Sequence, residues 1–330
     1  MAKQAARADI VARWMVVMAV EEKRSPRRNL VLRHASVAQR RVARLTPAVR
    51  GLLWAVLSGL LFVLLNTLMR GLALALDAFQ TQFLRYAFGL LVMTPFILRS
   101  GIGAFRPHNV KGQFLRGAVH TVGLGLWFIA IPHITLADTT ALGFTTPIFI
   151  MIGAVLVFRE RLRWERWLAA AIGFSGVLIV VAPKLSGGGG SYMLIMLTSA
   201  PIFAASFLMT KALTRNDRTE VIVVWQSISV ALCSLPLGLL HWHWPSAWQW
   251  GTFVLCGMLG SAGHYCLTRS FTIADISATQ SVKFLDLVWA AALGWLVFSD
   301  VPSRSTLIGG VVICASTLWI ARREGKRAPA

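Results

Sequence analysis

Ten apolar runs follow one another between residues 48 and 322. They fall at roughly 48–69, 78–98, 113–131, 137–158, 164–182, 191–213, 219–240, 248–268, 277–298 and 304–322. A helix needs about 20 apolar residues to cross a bilayer, and most of these runs have that length, with short Pro-, Gly- or charge-rich loops between them. Core helices of a water-soluble protein do not recur ten times at this length. The sequence therefore predicts an all-α integral membrane protein with ten transmembrane helices. Composition agrees, with 56% hydrophobic and only 14% charged residues, where soluble domains carry about 25% charge.

The net charge of +20 would fit a nucleic-acid partner if the basic residues shared a folded, wet surface. They do not. With the N-terminus inside, 28 of the 33 Lys and Arg fall in the N-terminal segment, in loops on that same side or at the span ends adjoining it. Arg70, Lys184 and Arg304 fall on the other side, and Arg85 and Lys283 lie within spans. The excess is a positive-inside label. It predicts a multi-pass protein of the plasma (inner) membrane with both termini in the cytoplasm, and no nucleic-acid partner. Cys233, Cys256, Cys266 and Cys314 are scattered through apolar stretches, without the spacing of a zinc site or disulfide framework.

The chain also repeats itself. ITLAD at 134–138 matches FTIAD at 271–275, and LVFRE at 156–160 matches LVFSD at 296–300. Pro95 in the second span and Pro236 in the seventh occupy corresponding places. Five spans per half is an odd number, so the second copy must enter the membrane from the opposite side. Such inverted repeats carry a pseudo-two-fold axis in the membrane plane and are typical of transporters. The expected organisation is a basic cytoplasmic tail at 1–47, disordered or the product of an early start codon, then a first five-helix repeat at 48–183. A Gly-rich linker at 184–190 leads to a second repeat at 191–322 and a short cytoplasmic tail at 323–330.

Particular stretches resemble a known family. They are ADTTALGFTTPIF (137–149) and FRERLRWERWLAAAIGFSGVLIV (158–180), with ADISATQSVKFLDLVWAAALGWLVFSD (274–300) and STLIGGVVICASTLWIARRE (305–324) in the second half. Together they look like the EamA branch of the drug/metabolite transporter superfamily. The resemblance implies a secondary transporter of a small amphiphilic metabolite, working by alternating access around a midplane site and without a cofactor. The superfamily holds exporters of amino acids and drugs and importers of S-adenosylmethionine and riboflavin, and the likeness leans toward the importers. Pro147, Glu160 and Gly176 match the family pattern, with Gly310 in the part of Gly176 in the second half. Asp300 replaces the usual Glu. Phe284 replaces the counterpart of Pro147, which predicts a less kinked ninth span. Lys283 and Asp286 stand where relatives carry Asp and Gln, in a region that faces the cavity in this family.

Charges inside a span cost several kcal/mol and face a cavity or a partner. Arg85 lies ~10 Å from the outer end of its span and Asp286 ~14 Å from the inner end of its own, at 1.5 Å per residue. Lys283 shares a helix face with Asp286. These three are expected to cluster near the midplane with one positive charge in excess, suited to a substrate carboxylate or other anionic group. Gln226 occupies the repeat position of Arg85. Trp127, beside Phe128, and His264 with Tyr265 fall in matching places, where rings can stack on a planar or cationic ligand. Asp286, His120 and His264 are the candidate carriers of a coupling proton.

Architecture accounts for the remaining features. Gly257, Gly260 and Gly263 line one face of the eighth span for close helix approach. Trp242, Trp244, Trp248 and Trp250 mark an outer interface. Glu160, Arg161, Arg163 and Arg166 form a cytoplasmic loop that caps helices, and Asp138 and Asp275 suit the N-termini of the fourth and ninth spans. The alternative is an intramembrane enzyme acting on an amphiphilic substrate, with Ser206, Ser227 or Thr146 as nucleophile and a histidine as base. No nucleophile-elbow motif joins them, and no phosphate-binding loop supports an ATP-driven pump.

Overall fold

The computed structural model describes residues 45–133, 142–161, 163–184, 190–298 and 303–326. The basic tail before Leu45, the start of the fourth span with Asp138, most of the Gly-rich linker, Asp300 and the last residues of the C-terminal tail lie outside the described residues.

Each of the ten expected spans contains helix among its described residues. In chain order these are α1 (Pro47–Ala75), α2 (Ala78–Ser100), α3 (Val110–Ala130), α4 (Thr146–Phe158), α5 (Trp164–Val181), α6 (Ser191–Leu213), α7 (Thr219–Gly238) and α8 (Ala247–Ile273). The ninth span is split into α9 (Ile276–Gln280) and α10 (Leu285–Phe298), and α11 (Arg304–Gly325) closes the set. By length and apolar composition, seven of the described helices are able to cross a membrane: α1, α2, α3, α5, α6, α7 and α11.

Local chemistry sets the helix starts. Asp77 accepts the N–H groups of Phe79 and Gln80 (2.9 and 3.1 Å) at the head of α2. Asn109 does the same for Gly112 at α3 (2.9 Å). Ser246 and Gln249 form a capping box at α8, satisfying donors that a bare helix end would leave orphaned.

The packing has the symmetry the repeat implies. When α1–α5 are matched in order to the five spans of the second half, each principal helix contact has its counterpart. α1 packs on α8 as α6 packs on α3; α4 packs on α6 as α10 packs on α1; α2 packs on α8 as α7 packs on α3. The pairs α2·α7 and α5·α11 are their own counterparts and cross the axis. The repeats are inverted and thoroughly interleaved, and Thr46–Ala330 forms one compact unit.

Glycines set the closest approaches. A Cβ on Gly257 would lie 2.7 Å from the Phe88 carbonyl carbon, so α8 meets the backbone of α2 there. On α11 it is Gly309 that meets α5, at Gly176 and Val180, while Gly310 faces open space.

The ninth span is interrupted despite having no proline. Between α9 and α10 the chain runs through a turn at 281–284. The N–H groups of Lys283, Leu285, Asp286 and Leu287 each bond to the carbonyl three residues back, the tighter pattern of a 3-10 turn. Lys283 sits in this turn.

Candidate functional site

A buried polar cluster lies between α2, α3, α7 and α8, centred on the phenol of Tyr86. Arg85 Nη1 donates to Tyr86 Oη (3.1 Å) and Gln226 Nε2 donates to the same oxygen at 3.5 Å. His120 Nε2 lies 3.0 Å from it and His264 Nε2 lies 3.4 Å away. A phenol has one proton to give and two lone pairs to receive with. With arginine and glutamine as donors, the Tyr86 proton goes to a histidine, and His120 is the nearer. That leaves His120 Nδ1 to carry a hydrogen toward Ser206 Oγ, 3.1 Å away. Gln226 Nε2 also approaches His264 Nε2 (3.3 Å).

This cluster borders a cavity of about 10 Å³ lined by Arg85, Tyr86, Gln226, Ser227, Ser261 and His264, with Gly89, Gly257 and Gly260 among the wall residues. Such a volume holds about one water. The conformation is therefore closed around its polar centre. Gly260 lies against the guanidinium, where a Cβ would meet Arg85 at 3.5 Å, an ordinary packing distance. That guanidinium is buried, lies over the Tyr86 ring with its central carbon 4.6 Å from the centroid, and leaves its Nε without a hydrogen-bond partner. Among the described residues no carboxylate forms an ion pair with it.

Two members of the expected three-charge cluster pair with each other. Lys283 Nζ and Asp286 Oδ2 are 2.7 Å apart and form their own ion pair. Phe62 of α1 touches both groups: its ring packs against His264 (4.9 Å between centroids) and has Lys283 Nζ 5.7 Å from its centroid. Asp286 also presses on Gly59 of α1, where any Cβ would collide with the carboxylate. The cation in excess is thus Arg85.

Arg85, Gln226, His120 and His264 come together. Trp127 and Tyr265 do not join them: Trp127 packs on Phe128 (5.1 Å) and Tyr265 on Trp54 (6.1 Å). Sequence reasoning missed Tyr86, the hub, and also Phe62 and Arg116. Arg116, counted among the loop cations, is 1% exposed within α3 and donates to Thr210 Oγ1 of α6 (2.8 Å). Ser206 and His120 form the hydroxyl–imidazole contact that an enzyme would need. However, the second imidazole nitrogen meets a phenol instead of an orienting carboxylate.

A second polar cluster joins the repeats at the end of the bundle where α5 begins and α11 ends. Arg166 Nε bonds Glu324 and Nη2 bonds Asp275, both at 2.9 Å, and Nη1 donates to Ser277 Oγ (2.8 Å). Glu160, following the left-handed Arg159 (φ 53°), accepts the N–H groups of Ile276 and Ser277 (3.0 and 3.2 Å) and the Ser277 hydroxyl (2.5 Å). The expected capping of the ninth span by Asp275 is corrected accordingly. Its side chain makes no cap bond and turns to Arg166, and Glu160 of the other repeat caps α9. Lys211 Nζ completes this end by donating to the terminal α8 carbonyls of Phe271 and Ala274 (2.5 and 2.7 Å).

Comparison with known proteins follows the same two-fold division. The EamA-like transporter family matches residues 49–182 and again residues 190–322. A riboflavin transporter of Rhizobium johnstonii is 33% identical over 283 residues, covering 85% of this chain and 93% of that protein. An S-adenosylmethionine uptake transporter of Rickettsia prowazekii is 26% identical, covering 84% and 94%. The pseudopaline exporter of Pseudomonas aeruginosa strain UCBPP-PA14 is 28% identical, covering 83% and 96%. A solved crystal structure shares the fold with a TM-score of 0.71 at 19% identity, covering 84% of this chain and 98% of its own.

Proposed function

This chain belongs to the EamA-like transporter family, and from that premise we propose that its cargo is a small amphiphilic metabolite whose carboxylate or other acidic group docks on Arg85. The chain is a multi-pass membrane transporter of small metabolites and not an enzyme, as its family and its named relatives are. Cargo binds near the midplane, and the inverted halves rock about it so that the site opens to one side and then the other. The membrane is the inner membrane, with both termini in the cytoplasm, a reading supported by the loop arginines and lysines.

The carrying observation is Arg85 itself, a buried cation at the cavity wall with no carboxylate partner among the described residues. An uncompensated charge at this depth costs several kcal/mol, which an acidic ligand offsets as it binds. Gln226, His264 and Tyr86 supply the remaining polar contacts. Lys283 and Asp286, neutralising each other, form the edge of the site beside Phe62. Trp127 and Tyr265 serve packing. A coupling proton, where transport uses one, is carried by His120 or His264 through Tyr86 and not by Asp286.

The test starts from purified protein screened by thermal shift against acidic metabolites, followed by uptake of the stabilising compound into proteoliposomes. Wild type moves the compound intact. Arg85→Gln keeps the unliganded melting temperature within a few degrees and loses at least about tenfold in uptake, the weight of one charge-assisted contact. Undiminished uptake by Arg85→Gln overturns the reading.

A further inference from the structure

Arg116 is the second buried cation that the fold leaves uncompensated. It is 1% exposed. Its Nε is held by Thr210 Oγ1, its Nη1 has no hydrogen-bond partner, and no carboxylate forms an ion pair with it among the described residues. Arg166 shows how this same molecule compensates a buried arginine within the protein: two carboxylates and a hydroxyl engage it. Removing a guanidinium from water without such partners is strongly unfavourable, so two bare guanidinia in one bundle need an explanation that packing does not provide.

Their placement gives one. Arg116 precedes His120 by four residues and shares its face of α3. Thr210, which holds Arg116, lies one turn from Ser206 on α6 and donates to the Ser206 carbonyl (2.9 Å), and Ser206 holds His120. Arg85, Tyr86, His120, Ser206, Thr210 and Arg116 therefore form one continuous polar row, with a bare cation at each end. The facing helix repeats the pattern. On α7, Gln226 meets Tyr86. One turn on, Ser229 packs against Gly117, the chain neighbour of Arg116, with its hydroxyl buried and unpartnered.

We propose that Arg116 is a second anion-binding subsite, and that the cargo carries two acidic groups, one for each arginine. This rests on the assignment of a first acidic group to Arg85. The two groups of the cargo span the row, with the Tyr86 hydroxyl and the His120 ring lying along the chain between them. A cargo with one acidic group leaves Arg116 buried and unpaired and is discriminated against for that reason.

The experiment compares a monocarboxylate, butyrate, with the dicarboxylates succinate, glutarate, adipate and pimelate. Each is titrated against purified full-length protein by thermal shift. The expected result is an optimum within the dicarboxylate series, with an apparent affinity at least about tenfold above butyrate. Arg116→Gln abolishes the dicarboxylate advantage and leaves the butyrate shift unchanged, whereas Arg85→Gln abolishes the butyrate shift. Arg116→Lys, which keeps the charge, and Thr210→Val, which frees Arg116 from its anchor, guard against misfolding: the first retains most of the advantage and the second weakens it. Equal binding of butyrate and the dicarboxylates, or an advantage that survives Arg116→Gln, overturns the second subsite while leaving Arg85 in place. Absence of any carboxylate-induced shift in wild type overturns the Arg85 reading and this one with it.

Discussion

Tyr86 is the residue on which the site turns, because its one oxygen gathers a guanidinium, an amide and two imidazoles from four helices. Tyr86→Phe keeps the ring under Arg85 and removes only that oxygen. The expected cost is about 1–3 kcal/mol, the penalty for leaving buried partners unsatisfied, read as a lowered melting temperature and a loss of uptake. Unchanged uptake with an unchanged melting temperature would show that the four groups do not depend on one another. Arg85, Gln226, His120 and His264 were legible in the sequence because charged and titratable residues stand out in apolar runs. Tyr86 was not, since a tyrosine in a span is unremarkable until its partners are placed. Arg116 was hidden by its position near a span boundary, where it was counted with the loop cations. Its four-residue spacing from His120 was the one available clue. Matching depth placed Arg85, Lys283 and Asp286 together but says nothing of direction around the helix axis, and Lys283 and Asp286 pair with each other.

At the scale of the helix, glycines decide which surfaces slide past one another. Gly309 meets the Gly176 carbonyl and Val180 on α5, whereas its neighbour Gly310 has no atom near its missing side chain. Gly309→Leu is expected to destabilise the protein by about 1–3 kcal/mol, the cost of overpacking, and Gly310→Leu to stay within about 0.5 kcal/mol of wild type. Melting temperatures of the two variants in one detergent check this directly, and equal losses would refute the register of α5 against α11. The element pattern itself was legible: apolar runs gave the ten spans, and the ITLAD/FTIAD and LVFRE/LVFSD echoes gave the inversion that the packing reproduces. The break in the ninth span was not, because Ser281-Val282-Lys283-Phe284 contains neither Gly nor Pro. What it does contain is Lys283, whose ion pair with Asp286 accompanies the shift to three-residue hydrogen bonding.

For the whole molecule, alternating access requires that one end of the bundle part while the other holds, and among the described residues the ends are held differently. At the end where α5 begins, Arg166 ties Glu324 and Asp275 together and Glu160 caps α9, so the two repeats are locked across the axis. The repeat relation that pairs Glu160 with position 300 pairs Arg166 with Thr306, and a threonine forms no ion pair. Among the described residues, the ties at the opposite end include the Gln80 amide against the His243 backbone (2.5 and 3.0 Å). The lock therefore biases the resting population toward closure at the Arg166 end, the cytoplasmic end in the topology proposed above. Breaking a buried ion pair by removing one partner costs about 3–5 kcal/mol, and that loss falls only on the state in which the lock is made. Arg166→Gln should shift the population toward opening at this end. With the four native cysteines replaced and Ser261→Cys placed on the cavity wall, a membrane-impermeant thiol reagent applied from the cytoplasmic side should label the Arg166→Gln protein at least about tenfold faster than its Arg166 parent, a change within what 1.4 kcal/mol provides. The same reagent applied from outside should label it more slowly. Faster labelling from both sides would indicate general loosening in place of a directed shift, and unchanged labelling from both would show that the Arg166 network does not hold the gate.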